Sequence, residues 1–290
     1  MSDDHTPVGD ETVTTESSPI EHGRAGRNLV AAIGAGLVLV ALVLVSLFTV
    51  KWLFAVVAAV ALMIAVNEFH SAMANRGIQL NTNALYAGVA AVTLCSYLGG
   101  AVWLVGSMGL LVVVLIFLRL REGTDGYVRD ASASIFVAAY LPLMIGFAML
   151  MLRADNGPAR IVAFIALTVA SDIGGYVAGV LFGRHPIAPA ISPKKSWEGL
   201  IGSLLLESVV GALLFFYLFD APWWQGVIVG IVMTIVATLG DFAESAIKRD
   251  LGVKDMGTIV PGHGGMMDRL DSLLPNAFVA WLLFSIFLGA

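Results

Sequence analysis

WWQGVIVGIVMTIVATLGDFAESAIK, residues 223–248, holds no charged side chain before Asp241. At about 1.5 Å per residue, a helix of this length crosses a bilayer core of about 30 Å. Its other feature is the pair Asp241 and Glu244, three residues apart and therefore on one helix face. An apolar span with carboxylates towards one end poses two questions: how many such spans there are, and what the acids do.

Similar apolar runs extend along the chain and predict about nine transmembrane helices, near 29–48, 52–70, 83–98, 101–118, 132–152, 158–182, 198–219, 223–248 and 270–289. The third and fourth are short. The 290 residues are 58% hydrophobic and only 13% charged, with a mean hydropathy of +0.89; soluble domains carry about 25% charged residues. This composition excludes a soluble globular enzyme, a disordered chain and a basic nucleic-acid-binding domain, so no nucleic-acid partner is expected. Long apolar runs also argue against an outer-membrane barrel, whose strands alternate apolar and polar residues. The expected fold is an all-α polytopic integral membrane protein.

Residues 1–28 are polar and read as a disordered acidic tail. Asp3, Asp4, Asp10, Glu11, Glu16 and Glu21 lie there, so the net charge of -5 says little about the rest. A secretory signal peptide is not expected, because 29–48 is longer than a signal h-region and no small-residue cleavage pattern follows. The single cysteine, Cys95, sits in an apolar run and excludes both an intramolecular disulfide and a multi-cysteine zinc site. With nine spans, all but Lys51, Arg153 and Arg160 of the 16 Lys and Arg fall on the side of the tail. The positive-inside rule then places the N-terminus in the cytoplasm and the C-terminus outside, in a plasma or inner membrane. The chain divides into N-terminal transmembrane helices (29–155) and C-terminal transmembrane helices (156–290), where any chemistry is expected. The polar connections of the latter, 183–198 and 249–269, share the cytoplasmic face.

Carboxylates inside a bilayer are costly and suggest function. Asp172 lies in SDIGGY (171–176), and Asp268 and Asp271 repeat the three-residue spacing in DRLD. Together with Asp241 they would repel one another unless a cation neutralised them, and hard oxygen donors suit Mg²⁺ better than zinc. Glu207 reads equally as an interhelical hydrogen-bonding residue, and Glu244 as a partner of Lys248 one turn on. Ser171, Gly175, Gly179 and Gly183 form a smooth stripe assigned to helix packing, with Asp172 on the neighbouring, cavity-facing side.

Cations flank these acids. ISPKKSWEG (191–199) brings Lys194 and Lys195 to a helix start at which Ser196 can cap. KRDLGVKDMGTIVPGHGGMMDRLD (248–271) alternates Lys248, Arg249, Lys254, His263 and Arg269 with Asp250, Asp255, Asp268 and Asp271. Pro261 and Gly262 turn the chain, and Gly264 and Gly265 allow amides to face an anion. His263 keeps an open role. Cations for phosphate oxygens beside carboxylates for Mg²⁺ are the parts of phosphoryl or nucleotidyl transfer. A phosphate nucleophile, with a second pKa of about 6, needs little help from a base. A phosphoglycosyl transferase or lipid kinase would share these parts, but the adjacent Asp-Asp of the former occurs only at Asp3-Asp4. An ion-coupled transporter often shows paired, interrupted spans in both halves, whereas here the polar residues crowd into the C-terminal half with no obvious counterpart in the first.

The segment from Ser245 to Asp271 resembles the signature of the phosphatidate cytidylyltransferases, or CDP-diacylglycerol synthases: S-x-x-K-R-x4-K-D, a short spacer, then P-x-H-G-G-x-x-D-R-x-D. It is matched by Ser245, Lys248, Arg249, Lys254, Asp255, Pro261, His263, Gly264, Gly265, Asp268, Arg269 and Asp271. SDIGGY, FGRHPIAP (182–189) and SPKKSWEG are also similar to the family, and the likeness spans roughly 165–275. Val260 departs from it, where the family more often carries a larger residue. The resemblance implies the reaction CTP plus phosphatidate to CDP-diacylglycerol and pyrophosphate, with membrane lipids as surroundings. It implies Asp241 and Asp268 as leading Mg²⁺ ligands, supported by Asp172 and Asp271. Lys248, Arg249, Lys254, His263 and Arg269 become catalytic candidates. Lys194, Lys195, Ser245, Gly264 and Gly265 become phosphate-binding candidates. It also implies a second, monovalent cation (K⁺) and a homodimer.

Overall fold

The computed structural model describes Val38, residues 41–258 and residues 264–289. The tail 1–28, most of the expected first span, and Val260, Pro261, Gly262 and His263 lie outside the described residues. Residues 41–49 are helical. Helices α1 (Lys51–Ala74), α2 (Thr82–Gly99), α3 (Ala101–Leu120), α4 (Tyr127–Tyr140), α5 (Pro142–Arg153) and α6 (Gly157–Phe182) follow. A two-stranded ribbon, β1 (Pro186–Ala188) and β2 (Ser192–Ser196), leads to α7 (Trp197–Tyr217), α8 (Trp223–Leu251), the single turn α9 (Met267–Leu270) and α10 (Leu273–Leu288).

Among the described residues, seven helical segments are long and apolar enough to cross a membrane. They correspond to the expected spans from 52–70 onwards, except that α2 is an 18-residue helix outside this set. The chain is a multi-pass membrane protein. The expected span 132–152 lies in one membrane-length segment, Tyr127–Arg153, made of two helices. Pro142 has no N–H to continue the ladder, and the backbone bends at Leu141 (φ -106°, ψ -74°) before α5 resumes. The connection 183–198 contains a short antiparallel ribbon pairing Pro186 with Ser196 and Ala188 with Ser192. The all-α expectation thus holds for the membrane-length helices, with one small hairpin between α6 and α7.

Two clusters of buried side chains hold the helices. One joins α1, α2, α3 and α4 around Phe69, whose ring meets those of Phe136 and Tyr140 edge to face, and it takes in Leu251, Met256 and Met267 from the C-terminal half. The other joins α5, α6, α7, α8 and α10 around Phe215 and Phe284. Side chains such as Val102 and Tyr217 point outward, as lipid-facing residues should.

Glycines set the closest approaches. A Cβ on Gly202 of α7 would lie 2.3 Å from the Ala178 Cβ and 2.5 Å from the Gly174 carbonyl oxygen of α6. Gly211 of α7 and Gly226 of α8 approach just as tightly. Lipid offers apolar surface as readily as another helix does, so backbone proximity and dispersion must supply this association. Gly175 packs against Ser203, as the stripe predicts. The tightest contact between α6 and α7, however, runs through Gly174 and Gly202, one position away from it.

Candidate active site

Helices α6, α7 and α8 and the ribbon enclose a cavity of about 340 Å³. Asp172 reaches it from α6, Asp241 from α8, and Lys194 and Lys195 from β2, joined by the hydroxyl-bearing Ser171, Ser203 and Thr238. Four of the expected site residues therefore share one chamber. Asp172 is accessible from it. Lys195 is ion-paired with Asp241 and stands 5.3 Å from the centre of the Phe242 ring. The ribbon is held in place from both ends. Glu198 accepts from the amides of Arg184 (3.1 Å) and His185 (3.3 Å), while Arg249 Nε donates to the Ile191 carbonyl at its other end. Ser196 caps α7 by accepting from Gly199 N at 3.2 Å, as expected.

A second cluster lies where α8 ends. Gly252, in the left-handed region at φ 73°, terminates the helix and donates to the Arg249 and Lys248 carbonyls. Lys248 Nζ bridges Glu244 (2.5 Å) and Asp268 (2.8 Å), so Glu244 and Lys248 do pair. The other oxygen of Asp268 accepts from Gly265 N at 2.8 Å and Met256 N at 3.0 Å. Gly264 has φ 82°, and a Cβ there would sit 2.9 Å from the same carboxylate. The Gly265 amide is thus used inside the protein.

Asp271 is half-buried and accepts from Ser272 N. Its backbone oxygen lies 2.7 Å from where a Gly240 Cβ would stand, a contact that brings it beside α8 next to Asp241. Asp271 is within electrostatic reach of Asp241, Glu244 and Asp172, and Arg269 is within reach of Asp172. The two clusters are therefore neighbours. Lys254 is exposed and Ser245 half-buried; neither lines the cavity. Glu207 is fully buried and accepts from Thr234 Oγ1 at 2.5 Å, an interhelical hydrogen bond between α7 and α8. Among the described residues, no three His, Cys, Asp or Glu side chains form a ready-made metal cage.

One participant is absent from the expected set. Glu68 of α1 is 3% exposed and accepts from the amides of Met266 and Met267, both at 2.8 Å. The signal was present: it is the one acid within 52–70.

The sequence matches the Cytidylyltransferase family over residues 30–287. It is 38% identical over 289 residues to a phosphatidate cytidylyltransferase of Mycobacterium leprae, covering 94% of this chain and 91% of the relative. The corresponding protein of Mycobacterium bovis is 37% identical over 279 residues, with 92% and 91% covered. That of Staphylococcus haemolyticus is 39% identical over 146 residues, half of this chain and 55% of the relative.

Proposed function

The chain belongs to the phosphatidate cytidylyltransferase family and is a membrane nucleotidyltransferase of phospholipid biosynthesis; from that premise we propose how its own residues carry out the reaction at the cytoplasmic face. A phosphatidate oxygen attacks the α-phosphorus of CTP. A new P–O bond forms as the bond to the bridging α–β oxygen breaks, and pyrophosphate leaves with its electron pair. The nucleophile and the leaving group are both anions, so the chief task is to offset repulsion and hold the reacting atoms in line.

Lys194 and Lys195, with hydrogen-bonding hydroxyls beside them, take the phosphate oxygens. Asp172 and Asp241 would hold Mg²⁺. That ion keeps several waters and binds through one or two carboxylates plus substrate phosphates, so two acids on a cavity wall fit it without a larger cage. When bound, it neutralises charge on the triphosphate. Arg269 and Lys248 extend the positive field, and Asp268 and Asp271 order the cluster behind the cavity. The observation that carries this reading is the meeting of two lysines and two carboxylates, from three separate elements, in one chamber. The excess of Lys and Arg on the N-terminal side of the bilayer supports cytoplasmic access, where CTP is available.

The test is an assay of the purified chain in detergent with labelled CTP and phosphatidate, with and without Mg²⁺. Lipid-linked CDP should form only when both substrates and the metal are present. Folded protein that forms none would overturn the proposal.

A further inference from the structure

Helix α1 belongs to the N-terminal half, yet it grips the C-terminal signature on both sides. On one side Arg76, just past its end, donates from Nε to the Leu251 carbonyl at 3.0 Å. On the other, the two oxygens of Glu68 take the amides of Met266 and Met267, one each. Each charge suits the helix end that it meets: a guanidinium on the last carbonyls of α8, a carboxylate on the amides that open α9. A four-residue helix cannot hold itself, so α9 takes its orientation from such contacts.

The glycines of the signature match this grip. A Cβ on Gly257 would stand 2.3 Å from Glu68 Oε1, and its three nearest atoms all belong to Glu68. On Gly265 it would stand 2.7 Å from the same carboxylate, and on Gly252 2.6 Å from Arg76 Nη2. Three glycines thus leave room for two side chains of another segment. Downstream of the Glu68 contact come Asp268, which meets Lys248, Arg269, which is within electrostatic reach of Asp172, and Asp271, which is within reach of Asp172 and Asp241. A buried carboxylate within an apolar span is costly to keep, which makes its use as a paired backbone acceptor informative.

We propose that Glu68, with Arg76 as its counterpart, is a positioning residue for cytidylyl transfer, holding α9 so that Asp268, Arg269 and Asp271 stay in register with the cavity carboxylates. The inference rests on the function proposed above and extends it to the N-terminal half.

The experiment compares the full chain in detergent with Glu68→Gln, Glu68→Ala, Gly257→Ala and the double variant Glu68→Ala/Gly257→Ala. CTP and phosphatidate are each varied, and melting is recorded in parallel. Gln keeps the shape but turns one acceptor into a donor that faces an N–H. Glu68→Gln should lower kcat at least about tenfold with KM for CTP nearly unchanged, since the cavity lysines are untouched. Gly257→Ala should also lower kcat. The double variant should be no slower than Glu68→Ala alone, because the added methyl then has no carboxylate to displace. Unchanged kcat in Glu68→Gln, independent multiplicative losses in the double variant, or loss of folded protein in every single variant would overturn the positioning role. An inactive wild-type chain would instead overturn the functional reading.

Discussion

Lys195 of β2 and Asp241 of α8 are ion-paired across the cavity, linking the ribbon to helix α8. Both side chains are half-buried, so removing either leaves a charge with reduced solvation. The two removals should differ in kind. Asp241→Asn deletes a hard oxygen donor and should lower kcat by about 100-fold or more, since positioned electrostatic groups commonly supply that much. Lys195→Ala deletes a phosphate partner and should chiefly raise KM for CTP, about tenfold for one charge-assisted hydrogen bond. Steady-state kinetics with CTP varied at saturating phosphatidate would separate these outcomes, and equal effects on both parameters would contradict the assignment.

Asp268 accepts three hydrogen bonds, from Lys248 and from two backbone amides. Asparagine offers one carbonyl in place of two carboxylate oxygens, and each buried donor left unpaired costs about 1–3 kcal/mol. Asp268→Asn should therefore lower the melting temperature and turnover together. Asp172→Asn, on a side chain open to the cavity, should lower turnover while leaving melting near that of the wild type. Fluorescence-detected melting in detergent beside the CTP assay would show the contrast.

The membrane helices were the most legible part of the sequence, for a physical reason. An apolar run as long as a bilayer is thick must be helical whatever its neighbours, so 223–248 and 198–219 coincide with α8 and α7 to within a few residues. The break at Leu141 was written locally, in Pro142, but the apolar run concealed it. The ribbon was less legible, because the Glu198 and Arg249 contacts that fasten it are not a local pattern. Asp172, Asp241, Lys194 and Lys195 stood out by charge alone, and one chamber holds all four. The Asp268 partners were not foreseen, since two of the three are backbone amides. Glu68 shows the limit most clearly. Its residue type stood out inside a span, but its contacts lie 198 and 199 residues away.

Two walls of the cavity, α6 and α7, approach each other at Gly174 and Gly202. Gly202→Val would push a branched side chain into the Ala178 methyl and the Gly174 carbonyl, and backbone on both sides leaves little to yield. This variant should reduce the folded fraction and abolish CTP turnover. Gly106, in the interior of α3, has open space where a methyl would stand, with no atom within 4 Å. Gly106→Ala should leave activity unchanged and favour the helix by up to about 1 kcal/mol. Size-exclusion profiles and specific activity of the two variants provide the comparison.

The 120–127 turn rests on a different interaction, remote from the cavity. Asp130 is 1% exposed and receives Arg119 Nε at 3.2 Å and Nη2 at 3.0 Å, Arg129 Nε at 2.8 Å and Gln79 N at 3.2 Å. Arg119, itself buried, also donates to the Gly123 carbonyl at 3.1 Å. Removing the acid leaves the buried guanidinium with Glu122 at 3.6 Å and the Gly123 and Asp125 carbonyls but without its buried carboxylate, a loss of up to about 3–5 kcal/mol in comparable pairs. Asp130→Asn should therefore melt well below the wild type while its activity per folded molecule is retained. The double replacement Arg119→Met/Asp130→Leu removes both charges and should recover much of the lost stability, because desolvating the pair offsets most of its attraction. If the double variant melts no higher than Asp130→Asn, the guanidinium is not the source of the loss, and the weakened acceptor for Gln79 N must carry it.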